Sequence, residues 1–312
     1  MKPLFLHPAN KRRRVVCLGM ATLDQIFRVD NIPEAPAKFR ALDFIVTGGG
    51  QAANAAVTVR RLSGAAQYWG RVGDDPTGDQ ILRQLSDERV DIQHVYRLIG
   101  ARSKTSAILV DACGERLVCS APSQGYPPDT SWLPLDEIEM MHTVLADSRW
   151  KPGAMALFDA AHEYKLPSVF DADGGEPQEL LSLSRAATHP AWSEPMLKNL
   201  GFGSPEASLM KAFGGRNAMS AVTLGERGVV WFDGHSIQRA AAIPVTSVDT
   251  LAAGDTWHGA LAYALADGHA NADAIRFASI VAALKCSRFG GRVGIPTRAE
   301  VEQFAATLPE TM

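Results

Sequence analysis

One stretch of the chain combines small residues with a single carboxylate in a way that suits chemistry on an anion. Ala252 and Ala253 have no side chain beyond Cβ and Gly254 has none, so their backbone N–H groups can approach a charged group closely. Apolar residues then recur at helical spacing, which predicts a helix over 253–267 whose first N–H groups point at that anion. Asp255 would lie in the first turn, where it could take a proton from a hydroxyl. An ordinary helix start is the alternative, because the helix dipole alone favours an acid there.

A second glycine-rich turn and an early carboxylate also suit ligand binding. The run Gly48-Gly49-Gly50 precedes a predicted helix that ends at Leu62, and Asn54 lies one turn into it. An amide there could donate to one hydroxyl of a polyol and accept from another. The short apolar segment 14–19 is predicted to be a buried parallel strand, and a polar turn that presents Asp24 follows it. Open α/β sheets bind ligands at the carboxyl ends of such strands.

The elements that must position these residues alternate between strand and helix, which predicts an α/β fold: a doubly wound, mostly parallel sheet with a small antiparallel β lid. We expect one domain over 14–312 with lid segments at about 26–47 and 94–122, after an N-terminal tail at 1–13. The strands expected in the main sheet are 14–19, 67–70, 143–147, 167–171 and 221–224, with a late antiparallel pair at 228–233 and 236–239. Further helices are expected at 77–87, 152–164, 177–183, 205–213, 271–286 and 298–308. The lid strands are expected at 39–46, 95–99, 104–110 and 115–120.

Composition excludes several classes of function. The chain has 312 residues and a formal net charge of -3, so no global attraction to nucleic acid or anionic lipid is expected. The basic run at 11–14 is better explained as a solvated tail than as a nucleic-acid patch. No apolar run approaches the ~20 residues of a membrane span, and the four cysteines are scattered. We therefore expect a cytoplasmic protein with no membrane or nucleic-acid partner.

Two common phosphate-binding motifs are absent from the sequence. It contains no G-x-x-x-x-G-K-[ST] and no G-x-G-x-x-G after a strand. Glycine-rich turns, a carboxylate after the first strand and a carboxylate in an anion seat together meet the requirements of phosphoryl transfer to an alcohol. In that reaction positioning and electrostatics supply most of the catalysis.

Two long motifs carry a resemblance to a known family. The segment 249–255, Asp-Thr-Leu-Ala-Ala-Gly-Asp, resembles the D-T-x-[GA]-A-G-D signature of the ribokinase-like (PfkB-type) sugar kinases. The segment 49–54, with the later G-R-V-G-D-D-x-x-G at 70–78, is similar to that family's amino-terminal signature. The motifs stand in the expected order with the βα pattern and the lid between them, and the likeness covers nearly the whole chain.

The resemblance implies roles for individual residues. Asp255 would be the catalytic base, and the amides of Ala252, Ala253 and Gly254 would hold the charge that develops on the phosphoryl group. The sugar hydroxyls would be held by Asp24, Gly49, Gly50 and Asn54. The nucleotide phosphates would border a T-x-G-x-x-G turn formed by Thr223, Gly225 and Gly228. The implied cofactors are ATP and Mg²⁺, the metal held mainly by phosphates and water. A monovalent cation such as K⁺ near the loop that begins at Asp249 is a further option.

One motif departs from the family pattern. Where the family usually has N-x-x-E, this chain has Ser193-Glu194-Pro195-Met196, so only Glu194 is left to serve near the metal and phosphates. The alternative is that Glu194 is a solvated acid at a helix start.

Within the family the sequence is most similar to sulfofructose kinases, and this likeness rests on the segments 145–150, 192–195, 258–261, 282–286 and 290–296. The lysine and arginine that bind the sulfonate in that subgroup correspond to Lys38 and Arg149, and two cations at one end of a sugar would favour an anionic substituent. The subgroup's asparagine is replaced here by Ser120. In the alternative interpretation Lys38 is a solvated lid residue and Arg149 pairs with a carboxylate such as Asp147.

These features predict an ATP-dependent sugar kinase that phosphorylates a primary hydroxyl, with an anionic ketohexose such as 6-deoxy-6-sulfofructose as one candidate substrate. Fructose, ribose or a nucleoside would be alternative substrates within the family, and a non-catalytic sugar- or nucleotide-binding regulator is the alternative from another class. Because an exposed sheet with free edges tends to associate, we also expect a homodimer formed through the lid.

Overall fold

A computed structural model describes residues 4–199, 201 and 203–309. The first residues of the predicted tail, 1–3, and the end of the predicted domain, 310–312, lie outside the described residues. The strands are β1 Arg14–Gly19, β2 Thr22–Arg28, β3 Asp43–Gly49, β4 Ala65–Gly73, β5 Val95–Leu98, β6 Thr105–Val110, β7 Arg116–Ala121, β8 Thr143–Asp147, β9 Ser168–Ala172, β10 His189–Ser193, β11 Ser220–Thr223, β12 Val229–Phe232 and β13 Ile237–Ala240. The helices are α1 Gln51–Arg61, α2 Pro76–Asp87, α3 Lys151–Glu163, α4 Pro177–Ala186, α5 Glu194–Asn199, α6 Pro205–Ala212, α7 Ala253–Asp267, α8 Asn271–Cys286 and α9 Arg298–Ala305.

The main sheet is mostly parallel, as predicted. Its strand order is β13-β12-β11-β10-β9-β8-β1-β4-β5, and β12 pairs antiparallel with both of its neighbours at one edge. The inner strands β1, β8 and β9 are apolar and almost entirely buried, which is typical of strands covered on both faces. Their carboxyl ends therefore lie together at one edge of the sheet.

Helices cover both faces of this sheet, and β1 shows the two layers directly. Val15 and Cys17 point into a core that is shared with α1, α7 and α8. Val16 and Leu18 point into the opposite core, shared with α3, α4 and α6. This alternation is the doubly wound arrangement that the sequence predicts. Within the described residues, no helix has both the length and the apolar character that crossing a membrane requires.

The small sheet consists of β3, β2, β6 and β7 in that order and corresponds to the predicted lid. Each of its two halves is an antiparallel pair, but the halves join through a parallel pairing of β2 with β6. The prediction of a small antiparallel lid is confirmed, but the parallel junction between its halves was not predicted. The two halves come from separate segments of the chain, so no turn sequence specifies the direction in which they meet.

Three local predictions need correction. The segment 95–99 was expected in the lid, but β5 pairs parallel with β4 at the edge of the main sheet. Asp24 was expected in a turn after the first strand, but it lies on β2. The strand β10 between β9 and β11 was not predicted. Its sequence contains Pro190, and proline in a strand-like segment normally argues against a central strand.

Candidate active site

Asp147 joins the elements that surround the site. Its carboxylate lies at the carboxyl end of β8, where Oδ2 accepts from the backbone N–H groups of Met20 at 2.7 Å and Ala52 at 3.2 Å. Its Oδ1 accepts from the N–H of Arg149 at 2.9 Å. A Cβ on Gly19 would lie 2.2 Å from the same carboxylate, so this approach requires glycine. A single buried acid thus fixes the ends of β1 and β8 against the start of α1.

The glycine turn before α1 leaves room for side chains of the protein itself. A Cβ on Gly48 would lie 1.8 Å from Nη1 of Arg292, and one on Gly49 would lie 1.8 Å from Oδ2 of Asp24. Gly50 has a φ of 92° at the helix N-cap, a conformation that favours glycine. The side chains of Arg292 and Asp24 therefore pack directly against the backbone of this turn.

A chain of hydrogen bonds runs from this turn to the predicted base. Arg292 donates through Nη2 to the carbonyl oxygen of Gly49 at 2.9 Å and through Nε to Oδ1 of Asn54 at 2.8 Å. Because a guanidinium only donates, the Asn54 oxygen faces Arg292 and its NH₂ group donates to Oδ2 of Asp255 at 2.6 Å. Asn54 thus orients the carboxylate, and Arg292 orients Asn54.

Sequence reasoning quoted Arg292 within a motif but gave it no role. It is 3% exposed, and burial lowers its pKa to about 10, although nearby groups including Asp24 and Asp255 oppose that shift. Its Nη1 makes no hydrogen bond with any described residue. The sequence alone does not predict this contact, because Arg292 belongs to the segment before α9 and Asn54 belongs to α1.

Asp255 lies in the first turn of α7, as predicted, and is half-buried. Burial raises its pKa to about 6. The hydrogen bond from Asn54 lowers the pKa, whereas the negative charges of Asp173, Asp24 and Asp147 raise it further. A carboxylate with a pKa near 6 is a stronger base than an ordinary aspartate and is still largely ionised at neutral pH.

The loop before α7 has the form of an anion seat. Ala252 caps the helix in the left-handed conformation, with a φ of 63°. The N–H of Ala253 donates to the carbonyl oxygen of Thr250 at 3.2 Å, so this amide is already engaged. A Cβ on Gly254 would meet no heavy atom within 4 Å, so the space in front of this residue is open.

Asp249, at the start of the same loop, is a buried hub. Its Oδ2 accepts from the N–H groups of Gly290 at 2.9 Å and Gly291 at 3.0 Å. Lys285, whose side chain is fully buried, places Nζ 2.8 Å from the carbonyl oxygen of Asp249 and 3.4 Å from Oδ2. A potassium ion at these two oxygens would coincide with the ammonium group. The residues around Asp249 therefore do not fit a monovalent cation at this position.

Asp24 lies on the face of the small sheet that looks towards the glycine turn. It is 8% exposed, and its Oδ1 accepts from the hydroxyl of Thr22 at 2.7 Å. Burial raises its pKa, against the hydrogen bond from Thr22 and the charge of Arg292. Across the strands Asp24 is in register with Ser106, and Ser106 with Ser120, whose hydroxyl oxygens are 3.1 Å apart. Asp24 and Ser120 therefore belong to one row of polar groups.

A basic cleft opens at the carboxyl ends of β1 and β8. Its volume is about 490 Å³, and Met20, Tyr126 and Trp150 form part of its wall. The described residues that line it include no carboxylate. Its cationic side chains are Arg71, Lys104, Arg149 and Lys151.

Arg149 is held in this cleft by neutral partners. Its Nε donates to Oε1 of Gln51 and its Nη2 to the carbonyl oxygen of Asp173, each at 3.2 Å. The contact with Asp147, suggested as an ion pair, is made instead by the backbone N–H of Arg149. Without a carboxylate partner in these contacts, the guanidinium keeps its charge available to an anion.

Lys104 lines the cleft and was missed by sequence reasoning, whereas Lys38 lies in the exposed loop between β2 and β3. Burial lowers the pKa of Lys104, the charge of Arg149 lowers it further, and Asp24 is among the acids that oppose the shift. Lys104 directly precedes β6, and the pairing of β6 with β2 brings it near Asp24. That pairing joins distant segments, so no local pattern announces it.

The predicted nucleotide turn lies at the end of β11. Thr223 is the last residue of that strand, and a 3-10 turn at Gly225–Arg227 leads to Gly228, whose φ is 87°. A Cβ on Gly228 would lie 2.0 Å from the carbonyl oxygen of Ala240, so a larger residue would displace the neighbouring backbone.

Glu194, at the start of α5, forms an ion pair with Arg227 of this turn. It forms a second ion pair, at 3.3 Å, with Lys198 of its own helix. The hydrogen bond from Arg227 lowers the pKa of Glu194. In the described part of the chain no three histidine, cysteine, aspartate or glutamate side chains are grouped to hold a metal ion. The carboxylate of Glu194 beside this turn fits a Mg²⁺ that is bound mainly by nucleotide phosphates and water.

The fold and the site together define an α/β protein with a candidate anion seat beside an oriented carboxylate, and comparison with known proteins gives the family. A family model described as pfkB family carbohydrate kinase matches residues 12–298. The chain therefore belongs to the pfkB family of carbohydrate kinases.

Individual relatives agree with this placement. The chain is 27% identical over 294 residues to ribokinase of Bacillus subtilis, an alignment that covers 94% of this chain and 99% of that one. It is 28% identical over 328 residues to fructokinase-1 of Zea mays, covering 95% and 98%. A solved structure of a candidate ribokinase from Agrobacterium tumefaciens superposes with a TM-score of 0.87 at 36% identity, covering 94% and 97%.

Proposed function

We propose that this carbohydrate kinase transfers the γ-phosphoryl group of ATP to a primary hydroxyl of a sugar, with Asp255 as the general base. The observation that carries the proposal is the chain of hydrogen bonds from Arg292 through Asn54 to Asp255, directly beside the open anion seat. It supports the role of Asp255 as the base, because it orients a carboxylate whose pKa is raised.

The reaction follows from these positions. Oδ of Asp255 accepts the proton of the sugar hydroxyl while the hydroxyl oxygen forms a bond to the γ-phosphorus. The bond from that phosphorus to the bridging oxygen of the β-phosphate breaks, and ADP leaves. Backbone N–H groups of Ala252, Ala253 and Gly254 at the start of α7 stabilise the charge on the transferred group, as helix N-termini do for anions. Ala253 can contribute only by weakening its bond to Thr250.

The nucleotide binds along the turn at the end of β11. Thr223, Gly225 and Gly228 would border the phosphates, and Glu194 would help to hold Mg²⁺ in place of its contact with Arg227. Bound Mg²⁺ neutralises part of the phosphate charge. Lys198 would then hold Glu194 from the other side.

The sugar lies between the small sheet and the glycine turn. Asp24 and Asn54 bind its hydroxyls, and the backbone of Gly49 and Gly50 approaches it closely. The small sheet closes over the substrate as a lid and excludes water, which limits hydrolysis of ATP.

The basic cleft supports an anionic group at the far end of the sugar. Arg149 and Lys104 line this cleft, and Lys38, on a loop of the small sheet, would join them when the sheet closes. Ser120 would contribute its hydroxyl from the same row as Asp24. A 6-sulfonate or 6-phosphate of a ketohexose carries the charge that such cations bind.

The names of the relatives support a neutral substrate instead, because they are a ribokinase and a fructokinase. ADP release should therefore be measured with ribose, fructose, fructose 6-phosphate, 6-deoxy-6-sulfofructose and adenosine. We expect kcat/KM to be highest for an anionic ketohexose. Higher values for ribose or fructose would contradict the proposal of an anionic substrate but agree with sugar kinase activity. No turnover of any sugar would contradict both proposals.

Variants of the cleft test the same point. Lys104→Ala with Arg149→Ala should lower kcat/KM for the anionic sugar at least ~100-fold, since each charge-assisted hydrogen bond is worth about 1.5–3 kcal/mol. The value for fructose should change little. Lys11→Ala removes an exposed lysine at the opposite end of β1 and serves as the control. Equal losses for both sugars would show that the cleft does not select charge.

We also propose that the chain forms a homodimer through the small sheet. Its outer face is apolar: Phe27 is in register with Phe44 and with Leu109, and Leu109 with Leu117. Phe44 and Leu117 are 50% and 51% exposed. A second copy would bury this face and cover the free edges of the sheet.

A further inference from the structure

The buried contact between Lys285 and Asp249 lies directly behind the anion seat. Lys285 is in the last turn of α8, where the helix dipole favours a cation, and its side chain has no exposed surface. The carbonyl oxygen of Cys286 accepts from the N–H groups of Val248 and Asp249, at 2.8 and 3.1 Å. The end of α8 is thereby fixed to the residue that begins the loop leading to Gly254.

The oxygens around Lys285 are those that an alkali cation would use. Nζ lies 2.8 Å from a backbone carbonyl oxygen and 3.4 Å from a carboxylate oxygen, both of Asp249. The other carboxylate oxygen accepts from the N–H of Leu251 at 2.7 Å, inside the loop itself. A positive charge at this point therefore acts on Asp249 and, through it, on the conformation of the seat.

We propose that the ammonium group of Lys285 takes the place of a monovalent cation behind the anion seat, so that this kinase works without one. Lys285 is a positioning residue, because it touches Asp249 and not the reacting atoms. Its charge neutralises the carboxylate of Asp249 and holds the loop 249–254 in the shape that presents its N–H groups to the phosphoryl group.

If Lys285 only anchored α8, its variants would respond differently to the choice of salt. Lys285→Ala would then weaken folding in every salt alike, since lost packing and hydrogen bonds do not depend on which cation is present. If instead the site needs a charge, the small cavity left by Lys285→Ala, lined by the two oxygens of Asp249, should accept an ion of suitable size. Lys285→Met fills most of that cavity without a charge and should not accept one.

The experiment compares these variants in potassium chloride and in choline chloride of equal ionic strength. Production of ADP is measured directly by chromatography with the best sugar of the panel, so no coupling enzyme contributes a cation dependence. The melting temperature is measured in parallel and requires no substrate, which separates failure of this inference from failure of the proposed function. Lys11→Met is the control lysine.

The wild type and Lys11→Met should turn over equally, within twofold, in both salts and show the same Tm in both. Lys285→Ala should lose at least tenfold activity in choline and regain most of it in potassium, with a higher Tm in potassium because an ion that binds only the folded state stabilises it. Lys285→Met should remain slow in both salts. A wild type that potassium activates severalfold, or a Lys285→Ala variant whose activity and Tm ignore the cation, would overturn the inference. Should both variants fail to fold, the salt response of the wild type still decides between these outcomes.

Discussion

Asp255 depends on its neighbours for its basicity. The residue is half-buried close to three other aspartates, and these surroundings raise its pKa to about 6. Asn54 opposes that shift with a short hydrogen bond, and Arg292 fixes which end of the Asn54 amide faces the acid. The acid is thereby kept ionised at neutral pH without losing its ability to accept a proton.

This arrangement predicts an acidic limb in the pH dependence of kcat/KM. Activity should fall as pH decreases through about 6, because protonated Asp255 cannot accept the hydroxyl proton. Asn54→Leu removes the hydrogen bond that lowers the pKa, so the limb should move to higher pH. Titration of ATP itself would not move with this substitution. A limb below about pH 4, where an ordinary aspartate titrates, would contradict the raised pKa.

Sequence reasoning predicted roles for Asp255 and Asn54 but none for Arg292 or Lys104. Asp255 and Asn54 belong to motifs, and the structure brings them together as a hydrogen-bonded pair. Arg292 and Lys104 reach the site only through tertiary contacts between segments distant in sequence. No local spacing encodes such contacts, so they became visible only in the folded chain.

At the scale of elements, local signals sufficed where the helices have clear periodicity. The predicted bounds of α7 and α8 agree with the structure residue for residue. The strand β10 was missed because Pro190 argues against a central strand. The strand β5 was misplaced because the partner of a strand is decided by tertiary packing. No strand was predicted at β2, which carries Asp24, for the same reason.

The cap of α9 stabilises the loop that carries Arg292. Thr297 and Glu300 form a capping box, and Glu300 also pairs with Arg288 at 2.9 Å. Although burial opposes the shift, the N–H and hydroxyl of Thr297 and the charge of Arg288 lower the pKa of Glu300 to about 2. The folded state therefore favours the ionised form. Its contribution to stability is complete above the unfolded pKa of about 4.3 and is lost as pH falls through about 2.

Glu300→Gln should lower the free energy of unfolding by about 1 kcal/mol at pH 7, the usual scale for a cap that solvent partly screens. Urea unfolding of both proteins between pH 7 and pH 2 should show this difference shrinking below about pH 4. Glu302→Gln, on the same helix, removes an exposed pair with Arg298 and should cost less than about 0.5 kcal/mol. A difference for Glu300→Gln that stays constant down to pH 2 would refute the role of its charge.

At the scale of the whole molecule, the small sheet has two faces of different chemical character. Its inner face carries Asp24 and Ser106 towards the site. Its outer face is apolar and exposed at Phe44, Val46 and Leu117. An association of two copies through the outer face would also hold the small sheet in place while its inner face closes over the substrate.

Light scattering tests this association directly. The wild type should have twice the chain mass of 33.5 kDa, and Phe44→Glu with Leu117→Glu should reduce it to the chain mass, because two buried charges without partners are costly. Met210→Glu, which changes an exposed apolar residue on α6, should leave the mass unchanged. A wild type that is monomeric at micromolar concentration would contradict the dimer.

Asp255→Asn tests most directly whether a carboxylate at the start of α7 activates a sugar hydroxyl for attack on ATP. Asparagine has nearly the same shape, so the melting temperature and the KM of the sugar should change little. Turnover of the best sugar of the panel should fall at least ~100-fold, the usual scale for a positioned general base. A folded Asp255→Asn protein that phosphorylates that sugar at a near-normal rate would contradict the claim.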